Sequence, residues 1–217
     1  MSGPSPGRYN AAKLVLALRQ VGITDRRLSD IVEKTSREPF ISPPFADSAW
    51  DNVELPIECG QTQTRPVTVA AMIEALEIQK DSVVLEVGTG SGYAAALMAR
   101  FARRIYSVDR YRTLVARAQR SLDQLGVSRV HVSLADGRHG LKEFAPYDRI
   151  LLMGAVDQLP APIIAQLGVG GIIVAPIDGP DGQNVVRFDR LRDGTLASKV
   201  LFPSRFLPLE DGVAREL

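Results

Sequence analysis

The chain is poor in several things that would have decided its character at once. It has one cysteine, Cys59, so no intrachain disulfide framework holds it together. No apolar run reaches the roughly 18 residues of a membrane-spanning helix. Net charge is almost absent: 26 basic against 25 acidic residues leave +1. No global field therefore draws the chain to nucleic acid or to an anionic membrane, and neither is expected as a partner. The opening residues lack a charged segment followed by an apolar stretch, so no secretory signal is expected and the cytoplasm is the default compartment. Histidine is scarce too. His131 and His139 read as structural or solvated, so neither a histidine dyad nor a metal site is expected. No lysine lies between Lys80 and Lys142, which removes the Gly-Lys-Ser/Thr of a phosphate-cradling loop.

What remains is an ordinary globular composition, 45% hydrophobic and 24% charged, in 217 residues. That length suits one domain with an accessory segment and buries a large core unaided. Arg100, Arg103, Arg104, Arg110, Arg112, Arg117 and Arg120 crowd one stretch. Acidic residues elsewhere balance them, so they read as a solvated helix face rather than a nucleic-acid patch.

Along the chain, residues 1–7 are small residues and proline and are expected to be mobile. Apolar spacing predicts a helix from Tyr9 to about Leu18 and a second from a Thr24 cap, stopping before Pro39. Residues 40–66 are proline-rich with Phe40, Phe45, Trp50, Leu55 and Ile57 interleaved, the composition of an ordered loop. From there strand and helix alternate. Helices are expected over Val67–Leu76, Tyr93–Phe101, Thr113–Leu125 and Pro160–Leu167. Strands are expected over Val83–Val87, Ile105–Val108, Val130–Leu134, Arg149–Met153 and Ile172–Ala175. A closing hairpin, Val185–Leu191 and Leu196–Phe202, turns at Asp193-Gly194. This is an α/β, doubly wound, Rossmann-like sheet, mostly parallel with an antiparallel C-terminal hairpin, plus an N-terminal helical segment. Residues 1–66 carry the N-terminal helices and a loop; residues 67–217 form the core.

The first strand runs into Glu86-Val87-Gly88-Thr89-Gly90-Ser91-Gly92. In a doubly wound sheet, ligands bind where strands end, and glycine there lets backbone approach them closely. The spacing is G-x-G-x-G and lacks the third glycine position of a dinucleotide site, which argues against a nicotinamide enzyme. Glu86 precedes the loop, Asp109 ends the second strand where a carboxylate can accept both ribose hydroxyls, and Asp136 ends the third. A cofactor with a cationic amino-acid end, a ribose and an adenine suits these positions. S-adenosyl-L-methionine is such a molecule. For Asp136, capping a turn is an equal alternative. Tyr93 and Trp50 either line the site or pack.

Upstream, Leu55 to Pro66 form a polar, hydroxyl-rich entry to a helix, for which Thr64 is a candidate cap. Here the chain resembles the protein-L-isoaspartate O-methyltransferases. Pro56, Ile57, Gly60, Gln61, Thr62 and Pro66 match that family's Pro-Ile-Gly-His-Gly-Gln-Thr-Ile-Ser-Gln-Pro stretch in spacing. Leu85 to Tyr93 matches its glycine segment. Ala135-Asp136-Gly137, Tyr147-Asp148-Arg149-Ile150 and Pro203 to Leu209 resemble its later motifs, and the likeness spans roughly residues 20–210. The resemblance implies a methyltransferase that repairs damaged protein or peptide substrates by esterifying the α-carboxylate of an L-isoaspartyl residue. The ester then collapses to a succinimide. It also implies that Thr62, Thr64, Glu86, Gly88, Thr89, Gly90, Ser91, Gly92, Asp109, Asp136 and Gly137 hold the donor, with Thr64 also serving catalysis. Thr64 stands where the family has serine, keeping a hydroxyl but adding a methyl group and a stiffer χ1. Glu58-Cys59 replaces Gly-His, and a Glu58 facing the acceptor carboxylate would repel it. Asp109 replaces the family's glutamate, and Gly154-Ala155-Val156 its alanine-rich run. Two other readings stay open: a methyltransferase with another acceptor, and a protein that binds the donor without turnover.

Overall fold

The computed structural model describes residues 6–214; the expected mobility of residues 1–5 lies outside the described residues. Helix α1 spans Pro6–Gln20, beginning ahead of the expected Tyr9, and α2 spans Arg26–Lys34. The cap of α2 is Asp25, not Thr24. Its Oδ1 accepts the amides of Arg27 and Leu28 at 2.7 and 3.1 Å. A carboxylate one residue later satisfies two orphaned donors at once, and its charge suits the helix N-terminus. The amides of Thr24 and Asp25 instead donate to Glu74 Oε1, both at 2.9 Å, on helix α3 (Pro66–Leu76). Leu14, Leu18, Leu28 and Val32 are buried in the same core as Val69, Met72, Ile73 and Leu76 of α3.

The segment that follows is ordered around Arg37, which is only 1% exposed. Its guanidinium donates to the carbonyls of Val53 (2.9 Å) and Ser48 (3.1 Å), closing the loop over itself. Short 3₁₀ turns occupy Glu38–Phe40 and Pro43–Ser48. The expected loop also holds a miniature hairpin, β1 (Leu55–Pro56) against β2 (Thr62–Gln63). Helix α3 then starts at Pro66 with Arg65 at the cap position, so Thr64 does not cap it.

The main sheet contains β3 (Val83–Val87), β4 (Arg104–Asp109), β5 (Val130–Leu134), β6 (Tyr147–Leu152), β7 (Leu167–Gly179), β8 (Gly182–Arg190) and β9 (Leu196–Pro203). Their order is β5-β4-β3-β6-β7-β8-β9. The first five run parallel; β8 and β9 are antiparallel. Helices α4 (Tyr93–Met98), α5 (Arg112–Gln124) and α6 (Ala161–Gln166) make the crossovers. Strand β7 runs well beyond the expected Ile172–Ala175, because β8 pairs with it from Ile172 to Gly179 and supplies ladder bonds to its polar end. The last hairpin turns at Asp193-Gly194 as expected, with Gly194 at φ 85° and Leu191 N donating to Thr195 O at 2.9 Å. Strand β3 has β4 on one side and β6 on the other, so the topological switch lies at its carboxyl end.

The seven crowded arginines do not make one solvated face. Arg104 lies over the Tyr106 ring at 5.8 Å, Arg110 reaches the C-terminal segment, and Arg117 pairs with Glu58. They sit on a loop, two strand ends and a helix, so sequence crowding does not become spatial crowding.

Candidate active site

A cavity opens at the carboxyl end of β3, and its floor is the glycine loop. The loop folds back on β4: the amides of Gly88 and Thr89 both donate to Val108 O, at 2.8 and 3.0 Å. Gly88, Gly90 and Gly92 all have left-handed φ, at 93°, 52° and 91°. A run that repeatedly enters that region demands residues without a Cβ. At Gly92 there is a second reason: a Cβ would stand 3.1 Å from that of Ala118 on α5. Gly92 thus sets helix packing and is not part of the cavity wall.

Two carboxylates meet the loop. Asp109 accepts the Gly90 amide at Oδ2 (2.8 Å) and the Tyr111 amide at Oδ1 (3.0 Å). Burial pushes its pKa up, against the pull of those amides and of Arg110. Glu86 is fully buried beneath the loop. Its Oε2 accepts from Ser107 Oγ at 2.5 Å, and Ser107 in turn contacts Thr89 Oγ1 at 2.6 Å. Burial raises the Glu86 pKa to about 8, with the Ser107 bond opposing and Asp109 adding to the rise. At neutral pH the pair holds one charge more readily than two. Glu86 Oε1 has no partner among the described residues.

The opposite wall comes from the β1–β2 hairpin. Ile57, Gly60, Gln61, Thr62, Gln63 and Thr64 line the cavity. Gln63 donates to Ser91 Oγ at 2.7 Å, tying hairpin to glycine loop, while its own Oε1 is buried without a partner. Tyr93 also lines the cavity. It packs edge-on to Phe40, and its hydroxyl is buried with no hydrogen-bond partner among the described residues. Trp50 packs against the core and does not line the cavity.

The third wall is a C-terminal strap. Leu207, Pro208, Leu209 and Glu210 line the cavity. The strap is pinned by Ala155, which exchanges backbone bonds with Leu207 and Leu209 at 2.8 Å each. Beyond them Arg110 reaches Glu210 and the carbonyls of Asp211 and Gly212, and Arg138 reaches Asp211.

Of the residues singled out in the sequence, Thr62, Thr64, Glu86, Gly88, Thr89, Gly90, Ser91, Asp109 and Gly137 come together around this cavity. Gly92 and Asp136 do not line it. Asp136 accepts the amides of Arg138 and Gly212, both at 2.9 Å, and touches His139 Nδ1 at 3.0 Å. Burial would raise its pKa, but those bonds outweigh burial and lower it. Gln63, Met153 and the strap were not foreseen. The strap carried only a motif likeness, and Gln63 carried no signal beyond its place in the hairpin. His131 and His139 are both exposed and away from the cavity, and no metal-binding cluster occurs among the described residues.

Comparison with known proteins places this geometry in context. The family described as protein-L-isoaspartate(D-aspartate) O-methyltransferase matches residues 9–214. A Parvibaculum lavamentivorans protein named protein-L-isoaspartate O-methyltransferase is 42% identical, over 97% of this chain and 96% of its own. A Ruegeria pomeroyi protein of the same name is 41% identical over the whole of both chains. A solved structure under that name superposes with a TM-score of 0.83 at 28% identity, covering 94% of this chain and 67% of that one. A Plasmodium falciparum structure, solved with S-adenosyl-L-homocysteine, shares the fold with a TM-score of 0.78 at 20% identity, over 93% of this chain and 98% of that one.

Proposed function

The chain belongs to the protein-L-isoaspartate(D-aspartate) O-methyltransferase family, and from that premise we propose that its strand-end cavity takes S-adenosyl-L-methionine and a damaged peptide, and esterifies the α-carboxylate of an L-isoaspartyl residue. The observation that carries the donor assignment is a pair of buried oxygens without hydrogen-bond partners among the described residues, Glu86 Oε1 and Gln63 Oε1, on two residues that line one cavity. Such atoms cost stability unless a ligand satisfies them. Both are acceptors, which suits a ligand bearing an ammonium group and hydroxyls.

Asp109 keeps lone pairs free beyond its two amide bonds and can accept the ribose hydroxyls. The Glu86 carboxyl would receive the donor's amino-acid end, and Gly137 and Leu209 give an apolar surface for the adenine. When bound, the donor supplies an electrophilic methyl group on a sulfonium. Asp136 contributes indirectly, by fixing the strap that closes the adenine end.

At the acceptor, no strong base is needed, because a carboxylate is already a nucleophile at neutral pH. One carboxylate oxygen would form the new O–C bond as the donor's C–S bond breaks with its electron pair left on sulfur, so that the products are a methyl ester and the neutral thioether S-adenosyl-L-homocysteine. Alignment is what the protein must provide, and positioning of this kind supplies several kcal/mol. Thr64 lies on the hairpin wall with a hydroxyl that has no side-chain partner among the described residues. It can donate to the acceptor carboxylate and hold the second oxygen away from the methyl group.

The test is incubation with methyl-labelled donor and a matched pair of peptides, one L-isoaspartyl and one L-aspartyl. Base-labile label on the isoaspartyl peptide alone is expected. Donor binding with no label on either peptide would overturn the acceptor assignment and leave only the donor site.

A further inference from the structure

Glu58 is the one acidic side chain in the hairpin that walls the acceptor side, between Ile57 and Gly60, both of which line the cavity. Its carboxylate does not point into that cavity. Oε1 pairs with Arg117 Nη1 on α5, and the same nitrogen donates to Ser42 Oγ at 3.3 Å. The pair is sheltered: the Arg117 side chain is 14% exposed and that of Glu58 35%. Glu58 Oε2 is buried with no partner among the described residues, so Arg117 is what neutralises this charge.

The sequence explains why Arg117 is there to be used. Leu114, Arg117, Ala118 and Ser121 repeat at helical spacing and share the inner face of α5. Leu114 lines the cavity, Ala118 meets Gly92, and Ser121 Oγ donates to Pro39 O at 2.7 Å. Arg117 sits in the middle of that row, opposite the hairpin turn. The turn itself is held open by left-handed backbone at Cys59 (φ 62°) and Gly60 (φ 65°). Across that turn Glu58 pairs with α5 while the backbone of Gly60 lines the cavity.

We propose that Arg117 is a specificity-determining positioning residue: it holds Glu58 out of the cavity and cancels its charge, so that an anionic acceptor is not repelled. This rests on the acceptor being a carboxylate, as argued above. Without Arg117, the Glu58 carboxylate is free at the cavity's edge. One uncompensated like charge at the cavity's edge would raise its KM by about tenfold at an intermediate effective dielectric constant. The effect falls mainly on the acceptor, because the donor's ammonium is assigned to Glu86, beneath the glycine loop, and its ribose hydroxyls, which carry no charge, to Asp109. Salt weakens it.

The experiment measures KM for the isoaspartyl peptide, KM for the donor, and kcat, in the parent, Arg117→Ala, Arg117→Lys, Glu58→Ala and the Arg117→Ala/Glu58→Ala double variant. Arg117→Ala should raise peptide KM about tenfold, more at low salt than at high, and leave donor KM within about twofold. Arg117→Lys should recover most of the loss. The double variant should recover it too, because the offending charge is gone. Glu58→Ala alone should lower peptide KM, and it keeps the inference open to refutation even if Arg117→Ala fails to fold. A double variant as impaired as the single, a Glu58→Ala that raises peptide KM, or donor KM moving in parallel would overturn the inference. A parent that labels neither peptide would defeat the acceptor reading and this inference together. A parent active on the isoaspartyl peptide with no rescue in the double variant would defeat this inference alone.

Discussion

The two sides of the cavity are built by different means. The glycine loop and its carboxylates are fixed by bonds between neighbouring strands: Gly88 and Thr89 to Val108, Gly90 to Asp109, Ser107 to Glu86. Every one of those partners lies within a single β–loop–α–β unit. The hairpin and the strap are held by backbone bonds, Ile57 to Gln61 and Ala155 to Leu207 and Leu209, and in addition by side chains reaching across the chain. Arg117 to Glu58 spans 59 residues, Asp136 to Gly212 spans 76, and Arg110 to Gly212 spans 102. The first side rests on bonds within one β–loop–α–β unit, two of them accepted by the Asp109 and Glu86 carboxylates. The second adds ion pairs and single hydrogen bonds from distant residues, and these can be loosened one at a time.

The sharpest way to strain that comparison is at Asp109, which belongs to the floor. Asp109→Ala removes a charged acceptor and also frees the Gly90 amide, so donor affinity should fall by about 1–3 kcal/mol by titration calorimetry. A loss below about 0.3 kcal/mol would remove Asp109 from the donor site.

Glu86 gives a smaller, pH-dependent effect. Its folded pKa is raised to about 8 by burial, from an ordinary value of 4.5. Between those values the folded chain holds a proton that the unfolded chain has released, so Glu86 costs increasing stability as pH rises from 4.5 to 8. Glu86→Gln should therefore gain stability over the parent by about 1–2 kcal/mol at pH 8, with the gain vanishing by pH 5. Parent donor affinity should rise over the same window as the carboxyl ionises against the donor's ammonium, and the variant's should stay flat. Denaturant melts and calorimetry at several pH values check both. A variant whose stability tracks the parent at every pH would contradict the burial argument.

Arg138→Ala should do least. Arg138 meets Asp211 on the open side of the strap, with side chains 36% and 82% exposed, and its Nη1 donates to Leu209 O at 3.1 Å. Together these contacts contribute about 1 kcal/mol or less to stability. A loss above about 1.5 kcal/mol would mean the strap depends on this contact far more than its exposure allows.

The same contrast explains what could be read in the sequence. The strands at Val83–Val87 and Val130–Leu134 and the glycine loop between β3 and α4 were legible because each is a local pattern: an apolar run, a glycine spacing, a carboxylate at a strand end. Asp25 rather than Thr24 caps α2 because two cap-forming residues stand side by side, and local pattern does not choose between them. Thr64 does not cap α3, since Pro66 at the first turn already lacks the amide that most needs a partner. Asp136 was expected at the donor, and in the fold its carboxylate accepts the Gly212 amide of the strap. Its partner Gly212 is far along the chain, and no periodicity announces such a meeting. Glu58 is a lone acidic residue in the hairpin sequence, and only the fold brings Arg117 to it.

The central claim is that the cavity at the end of β3 is the donor site, and titration of S-adenosyl-L-homocysteine into the parent and into Gly90→Val tests it most directly. Gly90 has φ 52°, and a side chain there would stand 3.5 Å from Ile57 Cδ1, within the cavity. The account predicts one-to-one binding to the parent and none detectable to the variant, with the fold retained by circular dichroism. Equal affinity in both proteins would contradict it.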